Sequence, residues 1–532
     1  MTTMFHVNAV VAGEMFMKFS HKSDLVSLSK VVQSGADDDV EWLLGMLSAA
    51  CVDKTCRAEI EAKYIEIIEH ILDSVTSSQA VKAIAAATIV KLAATPKSRS
   101  REQTEEEEVD VAGLAGLLQQ MVVATRDDSM AFANALEGLT YSTLNKAVKE
   151  SVIRDKPCLK VLLDVLKDKS PVSSPPSVKY GVLVIMSNLS AYPEVLTKER
   201  AQMQKLRTYA NAGKGAVDVE EKAEVITGRC KTLLDLDVVS ALSECVGSAS
   251  ANGQLLIGSI LKALATDKSH RVLVVKQGGI SVLNSLLSNS LRNEPGTCAL
   301  AKLLISINPA LVFSAKYSPT FAIRPLLTQL ESSSEDITML DKFEALLTLT
   351  NLASMEIVEV PNTIVTLGWT TIEDLLLAQN SLIQRASTEL VCNLVSFPSA
   401  AAKYLDQDDK ASATRRRVIV ALIDAEDVRT RSAASGALAA LAEWGQASEV
   451  LLDDSTTVKS LIRVLNDEQD DGVVHRVAAC LATVLAGSKA YAGKITQAGG
   501  IEAVDKAISR TKPESPVRNA LLELQNRLRS KP

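Results

Sequence analysis

What most restricts the fold of this chain is that it repeats itself every forty-odd residues. The stretch QGGISVLNSLL at 277–287 returns as AGGIEAVDKAI at 498–508, and LGWTTIEDLLL at 367–377 keeps the same apolar pattern with one glycine. Taking Gly279, Gly368 and Gly500 as equivalent gives separations of two and three periods near 44. A second marker, a small-residue, leucine-rich helix, occurs at 347–354, 389–396, 436–443 and 479–486; within it Asn351, Asn393, Ala440 and Val484 lie 42, 47 and 44 residues apart. A period of this length with two or three helices per unit is the signature of armadillo and HEAT arrays, where no helix pair buries its own apolar face and stability comes from stacking on neighbours. The spacing therefore predicts an all-α, armadillo/HEAT-like, right-handed superhelical solenoid. Glycines would permit the sharp turns between helices, and Ala, Gly and Ser would let neighbouring helices approach.

Composition agrees and removes whole classes of function. With 57 Lys+Arg against 64 Asp+Glu the net charge is −7, which argues against a chain whose main task is gripping nucleic-acid phosphates. Aromatics at 4% and only 24 Gly and 15 Pro in 532 residues speak against an extended all-β fold or wholesale disorder. No apolar run is long enough to cross a membrane, and the first twenty residues mix His6, Asn8, Glu14 and Lys18 among apolar ones, unlike a secretory signal. Eight scattered cysteines form no CxxC pair or Cys/His cluster, so neither a metal site nor a disulfide framework is expected, and a reducing, cytoplasmic setting is.

Catalytic chemistry is thin. Five histidines (His6, His21, His70, His270, His475) are spread along the array, and no nucleophile elbow, HExxH helix, dinucleotide fingerprint or kinase signature occurs. NAGKGAVD at 211–218 lacks the spacing and Ser/Thr of a phosphate loop, and the Asn188-Leu189-Ser190 acceptor triplet lies in an apolar helical run. The expectation is a non-enzymatic protein with no cofactor. PKSRSREQTEEEEVD at 96–110 and SPVSSPPS at 170–177 read as loops. The basic run Arg415, Arg416, Arg417, with Arg429 and Arg431, reads first as a helix terminus ion-paired to Asp408, Asp409 and Asp424, and second as a docking patch for an acidic surface.

A more specific pattern runs from about residue 130 to 510. NEPGTCALAKLLISINPALVF (293–313), IRPLL (323–327), DKFEALLTLTNLAS (341–354) and RASTELVCNLVSFP (385–398) follow EGLTYSTLNKAVKESV (137–152), YGVLVIMSNLSAYPE (180–194) and QKLRTYANAG (204–213) in order. This set resembles the UCS domain of myosin-specific chaperones. Helical periodicity does not require NPA at 308–310 or TELVCNLV at 388–395. One departure is Val272 after Arg271, where the family more often has a small residue.

The resemblance implies a chaperone that binds the myosin motor domain, assists its folding and protects it. It divides the chain into a central armadillo-like region, 1–130, and a UCS-like armadillo domain, 131–532. No 34-residue TPR pattern precedes residue 110, so the chain looks like the fungal type; the ninety-kilodalton heat-shock chaperone would then be met without a TPR contact. No nucleic-acid or membrane partner is expected, and self-association as a homodimer or linear chain is left open. The client groove is expected on successive third helices: Glu344, Thr348 and Asn351 share one helical stripe, Arg385, Glu389 and Asn393 the next, and Trp444 offers an apolar anchor. The other use of these residues is internal, with the asparagines bonding neighbouring carbonyls and Trp444 filling a seam. An import adaptor, which would need a regular Trp/Asn ladder, and a catenin-like scaffold are the alternatives.

Overall fold

The computed structural model describes residues 5, 7–22, 37–93, 110–193, 221–289, 292–313, 317–445, 447–452 and 454–529. Among them there is no strand, only α-helices with short 3₁₀ turns, as the repeat predicts. The helices form two compact units, Met1–Leu286 and Leu287–Pro532, so the expected boundary at 130 falls inside the first.

In Leu287–Pro532 the repeat is regular. Glu294–Ser306, Met339–Ala353, Ser381–Leu394, Val428–Ala442, Asp471–Gly487 and Pro516–Arg529 pack each on the next as one continuous stack. Each of the first five starts where a polar side chain takes over amide protons that a helix start leaves without partners. Asn293 accepts from Gly296 N at 2.9 Å, Asn380 from Leu382 N at 3.0 Å, Asp427 from Thr430 N at 2.9 Å and Asp470 from Val473 N at 3.0 Å. Thr338 and Asp341 cap reciprocally, a capping box. Ser515 stands in the same place before the last helix, accepting from Val517 N at 3.3 Å. These caps recur with the leucine-rich period and mark it independently.

The glycines separate into two kinds. Gly278 and Gly499 have φ of +94° and +85°, which a residue with a Cβ rarely adopts, and each turns the chain into the next helix. Gly279 and Gly500 then lie so close to Val274 and Ile495 that a Cβ would meet their carbonyl oxygens at 2.8 and 2.7 Å. Gly368 differs from both. It sits inside the unbroken helix Glu359–Leu376, where a Cβ would strike the Leu327 side chain; it serves close helix approach and makes no turn.

In Met1–Leu286 the stack runs from Asp37–Ala50 through Gln79–Ala93, Ser129–Ser142 and Pro176–Ser190 to Ala251–Leu264. Gln79–Ala93 is buried on nearly every side, and charge enters with it: Lys91 Nζ donates to Ser48 Oγ at 2.7 Å, pairs with Glu137 at 2.8 Å and lies over the Tyr141 ring. The 170–177 segment is a loop up to Pro175, as expected, and Pro176 and Ser177 already open the helix Pro176–Ser190. The 211–218 stretch, and 96–110 up to Asp110, lie outside the described residues. Val272 is 51% exposed beside buried Arg271, so the departure from the family pattern points to solvent.

Candidate functional site

The predicted stripe Glu344, Thr348, Asn351 lies on one face of Met339–Ala353, and that face meets the preceding helix. Glu344 pairs with Lys302 at 2.7 Å, the Thr348 hydroxyl lies 2.8 Å from the Glu344 carbonyl of its own helix and 3.2 Å from the Ala301 carbonyl of the preceding one, and Asn351 Nδ2 donates to the Leu304 carbonyl at 3.2 Å. Thr348 is fully buried, which corrects its place in the groove: a β-branched hydroxyl facing a carbonyl one helix away belongs to the seam, out of reach of any client. Glu344 and Asn351 are half-buried.

One repeat on, Asn393 Nδ2 donates to the Thr350 carbonyl at 3.3 Å, and the Trp444 indole N–H donates to the Val395 carbonyl at 3.0 Å. The three donors make one device. Each reaches back a period and takes a carbonyl near the end of the neighbouring helix, so each has a donor proton already used inside the protein. Arg476 does the same near the start of its helix, donating to the Ser432 carbonyl at 2.6 Å beside Gly436, whose missing Cβ leaves room for the guanidinium.

Arg385 and Glu389 stay closer to the surface. The Arg385 guanidinium stacks over Phe343 at 5.6 Å, and its Nε is 3.8 Å from Glu389. That Nε is buried without a hydrogen-bond partner. Burial pushes the Glu389 carboxyl above its ordinary range, against the pull of Arg385 and Arg429. Half-exposed Arg385, Glu389 and Asn393, with exposed Arg429, therefore form a polar strip over two adjoining helices. The basic run is largely consumed internally: Arg415 pairs with Glu373 and with Asp409 at 2.5 Å, Arg416 donates to the Tyr404 carbonyl, and Arg431 pairs with Glu468 at 2.6 Å. Asp424, expected as a partner of that run, is taken by Arg463.

Phe343 and Arg476 belong to the same surface, with buried Lys302 beneath it, and none of the three was singled out from the sequence. Their signal was available: Phe343, Arg385, Ser432 and Arg476 recur at the period of the repeat. All eight cysteines are free, and seven are buried. Burial pushes the thiols of Cys56, Cys158, Cys230 and Cys480 up to about 12, which leaves them protonated and unreactive. Among the described residues no cluster of three or more His, Cys, Asp or Glu could hold a metal, and no helix is long and apolar enough to cross a membrane.

A family model described as "Myosin-binding striated muscle assembly central" matches residues 1–118. The chain is 31% identical over 455 residues to Ring assembly protein 3 of Schizosaccharomyces pombe, covering 84% of this chain and 56% of the relative. To SWI5-dependent HO expression protein 4 of Saccharomyces cerevisiae it is 28% identical over 462 residues, covering 81% and 57%. It spans a little over half the length of both relatives. The solved structure of UNC-45 from Drosophila melanogaster superposes with a TM-score of 0.73 over 92% of this chain and 60% of that one, at 24% identity, a likeness of fold.

Proposed function

Because the chain belongs to the UCS-domain family of myosin chaperones, we propose that it binds the myosin motor domain, assists its folding and suppresses its aggregation without turning over nucleotide. The observation that carries this reading is the ordered motif run from 293 to 398, which falls in order on helices of the regular second unit, Glu294–Ser306, Ile323–Glu331, Met339–Ala353 and Ser381–Leu394. The match of residues 1–118 to a myosin-binding central model supports it from the other end of the chain and supports the division at about residue 130. Client contact is assigned to the half-exposed charged strip of the stack, Arg385 and Glu389 with Glu344 beside them, while Asn351, Asn393 and Trp444 hold the seam beneath it. The internal use of the Asn351 and Asn393 donors weighs against a peptide-binding import adaptor, which would present such amides to an extended ligand. The setting is cytoplasmic, and the ninety-kilodalton heat-shock chaperone is a second partner.

Heated myosin motor fragments, with and without the purified chain, provide the test, scored by light scattering against unrelated heat-labile clients. Selective protection of myosin is expected. Equal protection of every client would reduce the protein to a general holdase, and nucleotide hydrolysis by the purified chain would overturn the mechanism.

A further inference from the structure

Residues 168–175, Asp-Lys-Ser-Pro-Val-Ser-Ser-Pro, contain two Ser-Pro dipeptides in one turn between the helices Lys156–Lys167 and Pro176–Ser190. The dipeptides are alike in sequence and unlike in setting. Asp168 is the hub: Oδ1 accepts from Ser170 N at 2.8 Å, and Oδ2 accepts the hydroxyls of Ser173 at 2.6 Å and Ser174 at 2.8 Å. The Ser173 hydroxyl, then the Ser170 amide, hold its carboxyl down to about 2, so the charge is permanent at neutral pH. Arg126 closes the other side, donating to the Ser173 carbonyl at 3.1 Å and to Ser174 Oγ at 3.0 Å while its guanidinium lies over Phe132. Ser174 is thus 1% exposed, with its proton and a lone pair both engaged. Ser170 is half-exposed, its Oγ accepts only the long 3.4 Å contact from Ser173 N, and exposed Pro171 and Val172 follow it.

We propose that this turn is a phosphorylation site for a proline-directed serine kinase, with Ser170 the open acceptor and Ser174 held latent by Asp168 and Arg126. In the transfer Ser170 Oγ attacks the γ-phosphorus of ATP and gives its proton to the kinase's base. The new O–P bond forms as the bond to the β-phosphate oxygen breaks and ADP leaves. The product brings up to two negative charges beside ionised Asp168. It competes for Arg126 and for Lys179, whose Nζ donates to the Asp168 carbonyl at 2.6 Å. Loss of those ties frees Ser174. A cavity of about 290 Å³ beneath the turn, lined by Ser174, Lys169, Lys179, Tyr180 and Glu244, gives the released segment room beside two lysines. The other described Ser-Pro pairs, Ser318-Pro319 and Ser515-Pro516, use their hydroxyl oxygens to accept helix-start amides and lack this guarded arrangement.

The test uses the full chain, ATP-Mg and a proline-directed kinase that modifies both serines of a synthetic peptide of residues 165–180, with phosphate mapped by mass spectrometry. Ser170 of the folded chain should be modified first and Ser174 at least about tenfold more slowly, because Ser174 reacts only after local opening. Asp168→Asn, which removes the hub charge and keeps the volume, should bring the Ser174 rate close to that of Ser170. An unmodified Ser170 in the folded chain would overturn the proposal. So would equal rates at the two serines of the wild-type protein, or a Ser174 rate left unchanged by Asp168→Asn.

Discussion

In Met1–Leu286 the most deeply buried polar link between neighbouring helices is a guanidinium shared by two carboxylates, whereas in Leu287–Pro532 such links are made by cationic donors to carbonyls, by less deeply buried ion pairs and by neutral N–H donors. The clearest case in the first unit is Arg229, 2% exposed, which donates to the Leu189 carbonyl at 2.9 Å, to Glu150 at 3.2 Å and to Glu221 at 2.7 Å, with Lys149 on Glu221 at 3.0 Å. The second unit places Asn351, Asn393 and Trp444 against carbonyls instead, with the Lys302–Glu344 pair as its most buried charge link. A buried ion network is no better a stabiliser than a neutral contact, since desolvation offsets the attraction, but it fails harder when one member is removed. The second unit can therefore vary along its surface without a large penalty. The first has fixed points.

The sharpest test of that contrast is Arg229→Ala. It leaves Glu221 and Glu150 without their shared guanidinium and should cost the first unit about 3–5 kcal/mol. Hydrogen exchange followed by mass spectrometry should show faster exchange across Ser129–Asp235 and no change beyond residue 340. A loss shared equally by both units would erase the distinction between them.

Next in size is Gly368→Ala, which forces a methyl into Leu327 and should cost about 1–3 kcal/mol by overpacking. A urea melt of the second unit would register it, and a neutral outcome would return Gly368 to the flexible-turn role its sequence suggested.

Asn351→Ala and Asn393→Ala should each cost about 1 kcal/mol, the net worth of one internal hydrogen bond. Myosin binding by the double variant should fall no more than its stability explains. Binding lost with unchanged melting would make the asparagines client contacts first and seam contacts second.

Acid titration should show effects of opposite sign in the two units. Burial pushes Glu221 up, yet the hydrogen bonds from Arg229 and Lys149 hold it down to about 2, below its unfolded value of 4.5. Its contribution is fully present above pH 4.5 and is lost as pH falls toward 2. Glu389 is raised, so its folded form prefers the proton: that preference favours folding below its unfolded value and fades as pH rises through the folded one. Glu221→Gln should flatten the acid limb of the first unit, and Glu389→Gln should leave the second at least as stable near neutrality.

Much of this architecture is legible in the residues. The leucine-rich helices begin and repeat where the 44-residue period places them, and the Gly-Gly turns at 278–279 and 499–500 are real. Gly368 shows the limit of pattern matching, because a glycine between apolar residues reads alike whether it supplies a positive φ or space for a neighbour's side chain. The candidate site was legible as a set of stripes and illegible as a surface. Helical spacing correctly put Glu344, Thr348 and Asn351 on one face, but it carries no information about what that face meets.

Sequence alone, then, determined the repeat, the helices and the buried stripe of each, since apolar period and caps are local properties of the chain. Only tertiary structure decided the direction in which each polar group acts. An amide can serve a carbonyl one helix away as well as a ligand, and Thr348 and Asn351 turn inward because stacking brings the carbonyls of Ala301 and Leu304 within 3.2 Å. The same holds for the two Ser-Pro dipeptides. Their sequences match, and the placement of Asp168 and of Arg126, from the turn before Ser129–Ser142, closes one and leaves the other open.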